Sequence, residues 1–509
     1  MRTRFRATFV TLVVAGLALI LAADTALAQK KTRISVGVTE TMETFNPYGD
    51  SVALLYGVYT EMTGPLCKYN WKDAKWEPRL AKSWTVEDPN NWVFELDQRY
   101  KFNDGSPVTA EDIVHSLTRI LNDPQSKQKA AVTRPIKESA VVDKFKVRIT
   151  TKKPTAPLLD FLCDNLIITS KAAYEKYGAR EADRKHMMGG GPYAFAELVP
   201  GQRMVIKKRP DHPDMVRNPN APDEIVFRVM REPEQRVAAL MNNEVQIAQF
   251  IPPHLFNPVN SSPNHKIAKA DSIEIMFLAM QPKPPFDKKE VRQAVCYAID
   301  RDKIINTLLQ GQARRLDGPL GPGQLGYNPN LKARYTYDPK KARELLAKAG
   351  YPDGVAVELQ TPVNRYVLDK QVTEAMIPML NAAGFKARLL TPEWPTLWAN
   401  VQKGKVPFFY MGRGGVLDPS SAFHQYFRTG GSPRIGLYTP EIDAALDAEQ
   451  AEFDTEKRNQ HLTTAMELIT DLAPACFQWR HQLLWGMTND IEYEPPADAR
   501  IYGMDMVVK

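Results

Sequence analysis

Cysteine is scarce. The 509 residues hold four, Cys67, Cys163, Cys296 and Cys476, too far apart for a C-x-x-C redox or zinc motif. Histidine is sparse too, at eight, and no two form an H-x-x-H or H-x-x-x-H pair, so side-chain metal ligation is not expected. There is no G-x-S-x-G elbow, no evident Ser/His/Asp grouping and no carboxylate pair of the kind that performs acid–base work. That leaves little room for a hydrolase, and no cofactor is implied. Internal repeats and low-complexity tracts are absent. The net charge of +7 is mild and gathers into no basic stripe, so nucleic acid is not an expected partner. Beyond the N-terminus no run is long and apolar enough to span a bilayer.

The N-terminus itself is distinctive. Arg2, Arg4 and Arg6 precede an apolar run from Ala7 to Ala23, and Ala26-Leu27-Ala28 offers a small-residue cleavage site. Residues 1–28 therefore read as a secretory signal. The alternative is an uncleaved membrane anchor, which the A-x-A site and the polar sequence after it disfavour. Removing three arginines and Asp24 with this leader lowers the net charge from +7 to +5. No cysteine stands at the cleavage site to carry a lipid, so the mature chain is expected free in a periplasm. An oxidising compartment permits disulfides. Four cysteines allow three full pairings and the sequence does not choose. Buried thiols, in Val295-Cys296-Tyr297 and Ala475-Cys476-Phe477, are an equal reading.

The chain is longer than a single core, so two or three domains are expected. Its most regular stretch runs from Leu80 to Arg119. Trp92, Phe94 and Leu96 alternate as in a half-buried strand, and Tyr100 and Phe102 resume that period. Asn103-Asp104-Gly105-Ser106-Pro107 is a turn. Thr109 and Asp112 have capping-box spacing before a helix with Ile113, Leu117 and Ile120 on one face.

This stretch resembles the signature of the family 5 extracellular solute-binding proteins of bacterial ABC importers. The likeness rests on Leu80-Ala81, Ser83-Trp84, Lys101-Phe102, Asp104-Gly105, Pro107, Thr109 to Asp112, Ser116 and Arg119. A second matching segment is Pro284 to Arg301, where Asp287 is expected to cap a helix through Glu290. A third runs from Tyr337 to Tyr351, with Asp338 as N-cap, Pro339 in the first turn and Gly350 as the stop. The resemblance implies an α/β, bilobed periplasmic binding protein fold (type II, large three-subdomain class) with a ligand cleft between the lobes. It also implies a small-molecule or short-peptide ligand, an inner-membrane ABC permease and ATPase as partners, and a monomer.

The expected organisation is a first lobe over 29–67, an inserted subdomain over 68–188, the first lobe again over 189–271, a second lobe over 272–480 and a return over 481–509. Single strands are expected over Arg33 to Val38, Val141 to Thr151, Ile225 to Val229, Ile273 to Met280, Val355 to Leu359 and Lys386 to Leu390. Helices are expected from Leu54 toward Leu66, over Gln235 to Met241 and over Asp369 to Ala382. Gly189-Gly190-Gly191-Pro192-Tyr193 lacks the Lys-Ser/Thr of a phosphate loop and leads into a strand. It resembles the family's G-T-G-P-Y return to the first lobe. Phe45-Asn46-Pro47 stands where the family writes Leu-Asp-Pro.

The segment Phe408 to Pro419 carries most information about the solute. In peptide-binding relatives an Asp four residues before the Pro pairs with the peptide ammonium, and a Trp lies three residues earlier. Here those positions are Gly415 and Gly412, while Asp418-Pro419 is kept. A buried ammonium left without its carboxylate costs on the order of 3–5 kcal/mol, so a free peptide N-terminus needs Asp418 or Asp50 as a substitute. Arg413 offers a planar fork for a carboxylate or phosphate, or else points to solvent or pairs with a carboxylate of the protein. The candidate ligand-binding residues are Asp50, Ser51, Asn364, Arg365, Tyr366, Trp394, Tyr410, Arg413, Gly414, Gly415 and Asp418. Trp398 is a weaker candidate, read more readily as core. A peptide or peptide-like solute is expected, and a non-peptide anionic, glycosidic or opine-like solute is the alternative. A sensor partner using the same cleft has the same sequence signature.

Overall fold

The computed structural model describes the chain except for residues 1–31, 40–52, 72, 74, 124–125, 127–134, 164, 186, 364, 414–417 and 433. The leader, Phe45-Asn46-Pro47, Asp50, Ser51, Asn364, Gly414 and Gly415 lie outside the described residues.

Strand β1, Arg33–Val38, buries Ile34, Val36 and Val38, the period-two pattern of its sequence. Helix α1, Ala53–Thr63, follows. The inserted subdomain holds β2 (Ala81–Asp88), β3 (Asn91–Leu96), β4 (Ile136–Asp143) and β5 (Lys146–Thr151), ordered β2-β3-β5-β4. The single strand expected from Val141 to Thr151 is instead the end of the first arm, the turn and the second arm of a hairpin, β4 pairing antiparallel with β5. The expected continuation at Tyr100 and Phe102 is also not a strand. Only an isolated bridge joins Lys101 to Pro107, although both rings are buried. Burial explains the alternation there without a ladder. Helix α2, Ala110–Asn122, has the predicted capping box, with Thr109 N donating to Asp112 Oδ2 at 2.9 Å. A disulfide joins Cys67 to Cys163, next to helix α3 (Leu158–Cys163), whereas Cys296 and Cys476 are buried free thiols.

The glycine run at 189–191 is a close backbone crossing. Gly190 N and Gly191 N donate to Thr63 O and Met62 O at 2.9 and 3.0 Å. A Cβ on Gly189 would stand 2.0 Å from Met62 O, so no larger residue fits. The chain then builds β6 (Tyr193–Val199), β7 (Arg203–Lys208), β8 (Glu224–Val229) and β9 (Ile247–Ala248).

Two long strands connect the lobes: β10 (His265–Met280), which begins eight residues before the expected Ile273, and its antiparallel partner (Ala475–Thr488) near the C-terminus. Between them lie α4 (Lys289–Ala298), β11 (Ala313–Arg315), α5 (Pro339–Lys348), β12 (Val355–Gln360), α6 (Asp369–Ala382), β13 (Phe385–Leu390), α7 (Trp394–Gln402), β14 (Phe408–Arg413), α8 (Pro419–Tyr426), α9 (Pro440–Ala451) and α10 (Thr455–Leu472). With the C-terminal crossing strand as β15, one sheet runs through both lobes in the order β13-β12-β14-β10-β15-β9-β1-β8-β7-β6, and β11 pairs with β15. Asp338 caps α5, accepting from Lys340 N and Lys341 N, and Gly350 ends it at φ +89°. The cap expected at Asp287 does not form. Lys288 is the N-cap of α4 and its side chain makes no capping bond, donating instead to Ala349 O at 2.6 Å. Buried Arg292 instead reaches back to the carbonyls of Phe286 and Asp287 at 2.9 and 3.1 Å and sets the approach of that loop.

Both faces of the second lobe's sheet are covered. Met276, Leu278, Met280, Phe408, Tyr410 and Trp479 pack on one face, and Ile275, Phe277, Phe409, Met411 and Phe477 on the other. Near-continuous hydrophobicity in β10 and β14 follows from this double burial.

Candidate functional site

β12 is parallel to β13 and to β14. The carboxyl ends of these three strands, at Gln360, Leu390 and Arg413, therefore lie at one edge of the sheet. In open α/β sheets ligands gather at the carboxyl ends of parallel strands. Here that edge lies beside the two crossing strands, where a cleft between lobes belongs.

Arg413 ends β14, opposite Ile275 of β10. Its half-buried guanidinium lies over the Tyr426 ring, 4.8 Å from the centroid. No carboxylate among the described residues is within ion-pair distance of it. Burial pushes its pKa down to about 10 and the neighbouring charge of Arg434 adds to the depression, while Tyr426 and, more weakly, the carboxylate of Asp160 beyond ion-pair distance pull the other way. Arg434 packs over Trp398 at 4.1 Å and Tyr426 at 5.2 Å, and donates to the Tyr426 hydroxyl. A small apolar cavity beneath Arg413 is lined by Ile275, Phe277, Pro319, Phe423 and Tyr426. Two guanidiniums sharing one tyrosine, without an acid between them, form a place that favours an anion.

Arg365 and Tyr366 follow β12. Their backbone N–H groups donate to Asp369 Oδ2 at 2.8 and 3.0 Å, which fixes the loop to the start of α6. The exposed Arg365 side chain lies over Tyr366 and Trp394, at 5.2 and 5.4 Å. Trp394 and Trp398 stack on each other at 5.4 Å, both partly buried. Tyr366 donates its hydroxyl to Gly412 O at 3.2 Å. Arg365, Tyr366, Trp394 and Arg413 thus share the carboxyl edge of the sheet.

Two expected site residues are placed differently. Tyr410 is fully buried, its ring 6.3 Å from those of Tyr366 and Trp479, because its strand position faces the core. Asp418 does not present a free carboxylate. It caps α8 through Ser420 N at 2.9 Å and holds Arg458 in a two-pronged pair at 2.7 and 2.6 Å. Arg458 also bonds Glu449, which accepts from Ser420 Oγ and lies 3.1 Å from His424 Nε2. Asp418 N donates to Asp160 of the inserted subdomain at 3.0 Å, Ala156 N to Gln450 O at 2.8 Å, and Trp92 meets Phe453. Asp418 is a structural joint between subdomain and second lobe.

Sequence reasoning passed over Tyr426, Arg434 and Glu274. Only Glu274 left a trace, as a charged residue in register with the core-facing Met276 and Leu278. Among the described residues no group of three His, Cys, Asp or Glu is placed to hold a metal ion, and no helix is long and apolar enough to cross a membrane.

Two lobes joined by crossing strands, with cations and aromatic rings along the sheet edge between them, define a bilobed solute receptor. Residues 75–434 match the family described as bacterial extracellular solute-binding proteins, family 5 Middle. Glutathione-binding protein GsiB of Salmonella paratyphi A is 30% identical over 480 residues, 90% of each chain. The structure of AgaA from A. tumefaciens R10 in complex with agropinic acid superposes with a TM-score of 0.78 at 25% identity, covering 94% of this chain and 99% of that one. The Helicobacter pylori periplasmic binding protein DppA, in complex with the peptide STSA, shares the fold at a TM-score of 0.80 and 21% identity, covering 94% and 99%. The chain belongs to the bacterial extracellular solute-binding proteins, family 5. It is the solute-binding component of an ABC importer, and its relatives are binding proteins rather than enzymes.

Proposed function

We propose that this receptor captures a small peptide or peptide-like solute by a carboxylate, held at Arg413, and delivers it to the membrane permease without altering it. The observation that carries this reading is the Arg413 guanidinium, desolvated at the strand end and lacking an acidic partner among the described residues. A carboxylate there gains a charge-assisted, two-pronged contact that water supplies poorly in so enclosed a place. Arg434 adds a second positive charge, and Trp394, Trp398 and Tyr366 offer flat apolar surface beside it. Lobe closure about the crossing strands is the expected response to ligand, as in other periplasmic binding proteins.

GsiB is named a glutathione-binding protein, which favours the peptide-like class. Glycine at 415 and the agropinic acid complex of AgaA favour a second reading, a non-peptide opine-like acid bound at the same arginine. In either case the mature protein works as a monomer in the periplasm after residues 1–28 are removed, the reading that the arginine, apolar and A-x-A segments support.

The test is thermal unfolding against di- and tripeptides, glutathione, opines, oligosaccharides, organic acids and nickel chelates. A ligand at ~100 times its Kd adds about 2.7 kcal/mol. Acids that shift the melt for wild type and not for Arg413→Ala support the reading. A shift that survives Arg413→Ala, or one produced only by uncharged sugars, overturns it.

A further inference from the structure

The pairing of β10 with β15 shifts register twice near the sheet edge, between Asp271 and Ile275 and between Met276 and Phe277, and the first shift is the larger. Asp271 faces Gln482 and Ile275 faces Arg480, so Ser272, Ile273 and Glu274 bulge opposite the single residue His481. The bulge is fixed on both sides. Ser272 Oγ accepts from Glu274 N at 2.9 Å, and Ile273 N donates to Ala497 O at 3.0 Å. These bonds aim Glu274 across β14 at Gly412. Its Oε1 lies 2.9 Å from the point a Cβ on Gly412 would occupy, beside the Tyr366 ring edge at 2.7 Å. Glycine at 412 is therefore what leaves room for this carboxylate.

The carboxylate has no hydrogen-bond or ion-pair partner among the described residues. Burial raises its pKa, and Arg365, beyond ion-pair distance, offsets this only in part. The Tyr366 hydroxyl is already directed to Gly412 O, and neither ring nitrogen of His481 finds a partner. Some of the Glu274 surface stays open. A carboxylate held in a rigid bulge, poorly hydrated and unpaired, at the edge where the solute enters, is a built acceptor for a cation.

We propose that Glu274 is the cation-binding residue of the cleft and takes an ammonium group of the solute whose carboxylate Arg413 holds. The proposal rests on the solute-binding reading above and adds a second charge to the specificity. Gly412 and Arg413 are consecutive in β14, so Glu274, packed at Gly412, and Arg413 stand on opposite faces of the strand end. A single α-amino acid, with both charges on one carbon, is too short to bridge them around the backbone. A zwitterion of at least dipeptide length is selected. The ammonium thus has a carboxylate from a crossing strand in place of one at position 415.

The experiment is calorimetric titration of wild type, Glu274→Gln and Arg413→Ala with triglycine, glutathione and their N-acetylated forms, with melts of each ligand-free protein. The expected result is that wild type prefers a free amine by at least about 10-fold over its N-acetylated form. Glu274→Gln binds both forms alike at the weaker affinity, and its ligand-free melt rises because an unpaired carboxylate is gone. Retention of the free-amine preference in Glu274→Gln overturns the proposal. So does equal binding of both forms by wild type, failure of wild type to bind any probe, or a fall in the ligand-free melt of Glu274→Gln, which reveals a structural partner. Arg413→Ala separates the two readings. If it binds as wild type while Glu274→Gln loses the amine preference, the carboxylate reading fails and Glu274 stands.

Discussion

The second lobe contains two arginine environments built on opposite principles. Behind α8, Arg458 is enclosed by Asp418 and Glu449, with Ser420 and His424 completing the network. At the end of β14, Arg413 has an aromatic ring and a second guanidinium for neighbours and no acid within ion-pair distance among the described residues, Asp160 acting on it only from farther off. Both side chains are largely removed from water. In the first region the protein satisfies its own charge, and the result is a joint that braces the second lobe against the inserted subdomain through Asp418 and Asp160. In the second the charge is left open, and on that the proposed contact with a solute carboxylate rests. Buried charge alone does not mark a binding site; the proposed site rests on buried charge that the protein leaves without an ion-pair partner.

The largest expected effect comes from breaking the satisfied region. Arg458→Ala strands two carboxylates in a closed site and is expected to destabilise the protein by about 3–5 kcal/mol in urea unfolding. A near-wild-type midpoint would mean that the network is not a brace and that the contrast is empty.

The same contrast extends to histidine. His424 Nε2 lies 3.1 Å from both Leu446 O and Glu449 Oε1, whereas His481 is buried with both ring nitrogens unpartnered and its pKa pushed down to about 4 by burial. His481 stays neutral in the folded protein, while in the unfolded chain it binds a proton below about pH 6.5. The unfolded state therefore holds more protons between those values, and stability falls as pH drops from 6.5 toward 4. His481→Phe is expected to flatten that part of the stability–pH curve by about 3 kcal/mol across the window. An unchanged slope would show that the imidazole finds a partner.

The smallest effect has the opposite sign from that of Arg458. Arg413→Met removes an unanswered charge and keeps the length of the side chain, so the ligand-free protein is expected to gain about 1 kcal/mol. Its response to ligand disappears at the same time. A loss of stability comparable to that of Arg458→Ala would place Arg413 in the scaffold.

Much of the fold was legible in the sequence. The capping box at Thr109 and Asp112, the Asp338 cap with Pro339, the Gly350 stop, helix α6 and the strands of the second lobe follow from local periodicity and terminus chemistry. The errors arose where burial imitated a local rule. Tyr100 and Phe102 alternate without a ladder, and Asp287 has cap spacing while Arg292 holds the loop. The hairpin between β4 and β5 was missed because Asp143 to Lys146 carries no glycine or proline.

The site was half legible. Arg365, Tyr366, Trp394 and Arg413 follow or end strands whose carboxyl ends meet at one edge, which an alternating strand and helix pattern implies. Neighbours distant in sequence were not legible. Sequence cannot tell that Asp418 belongs to Arg458, forty residues on, or that Tyr426 and Arg434 gather around Arg413.

The sequence by itself determined most of the local elements, because helix caps, strand periods and turns are set by near neighbours, while the two-lobed α/β plan and the family came from the resemblance of three of its segments to a known family. Only the tertiary structure decided which charges are answered within the protein and which are left open. Pairing depends on which side chains are brought within a few ångströms of one another, and in this chain that was set by packing across the sheet.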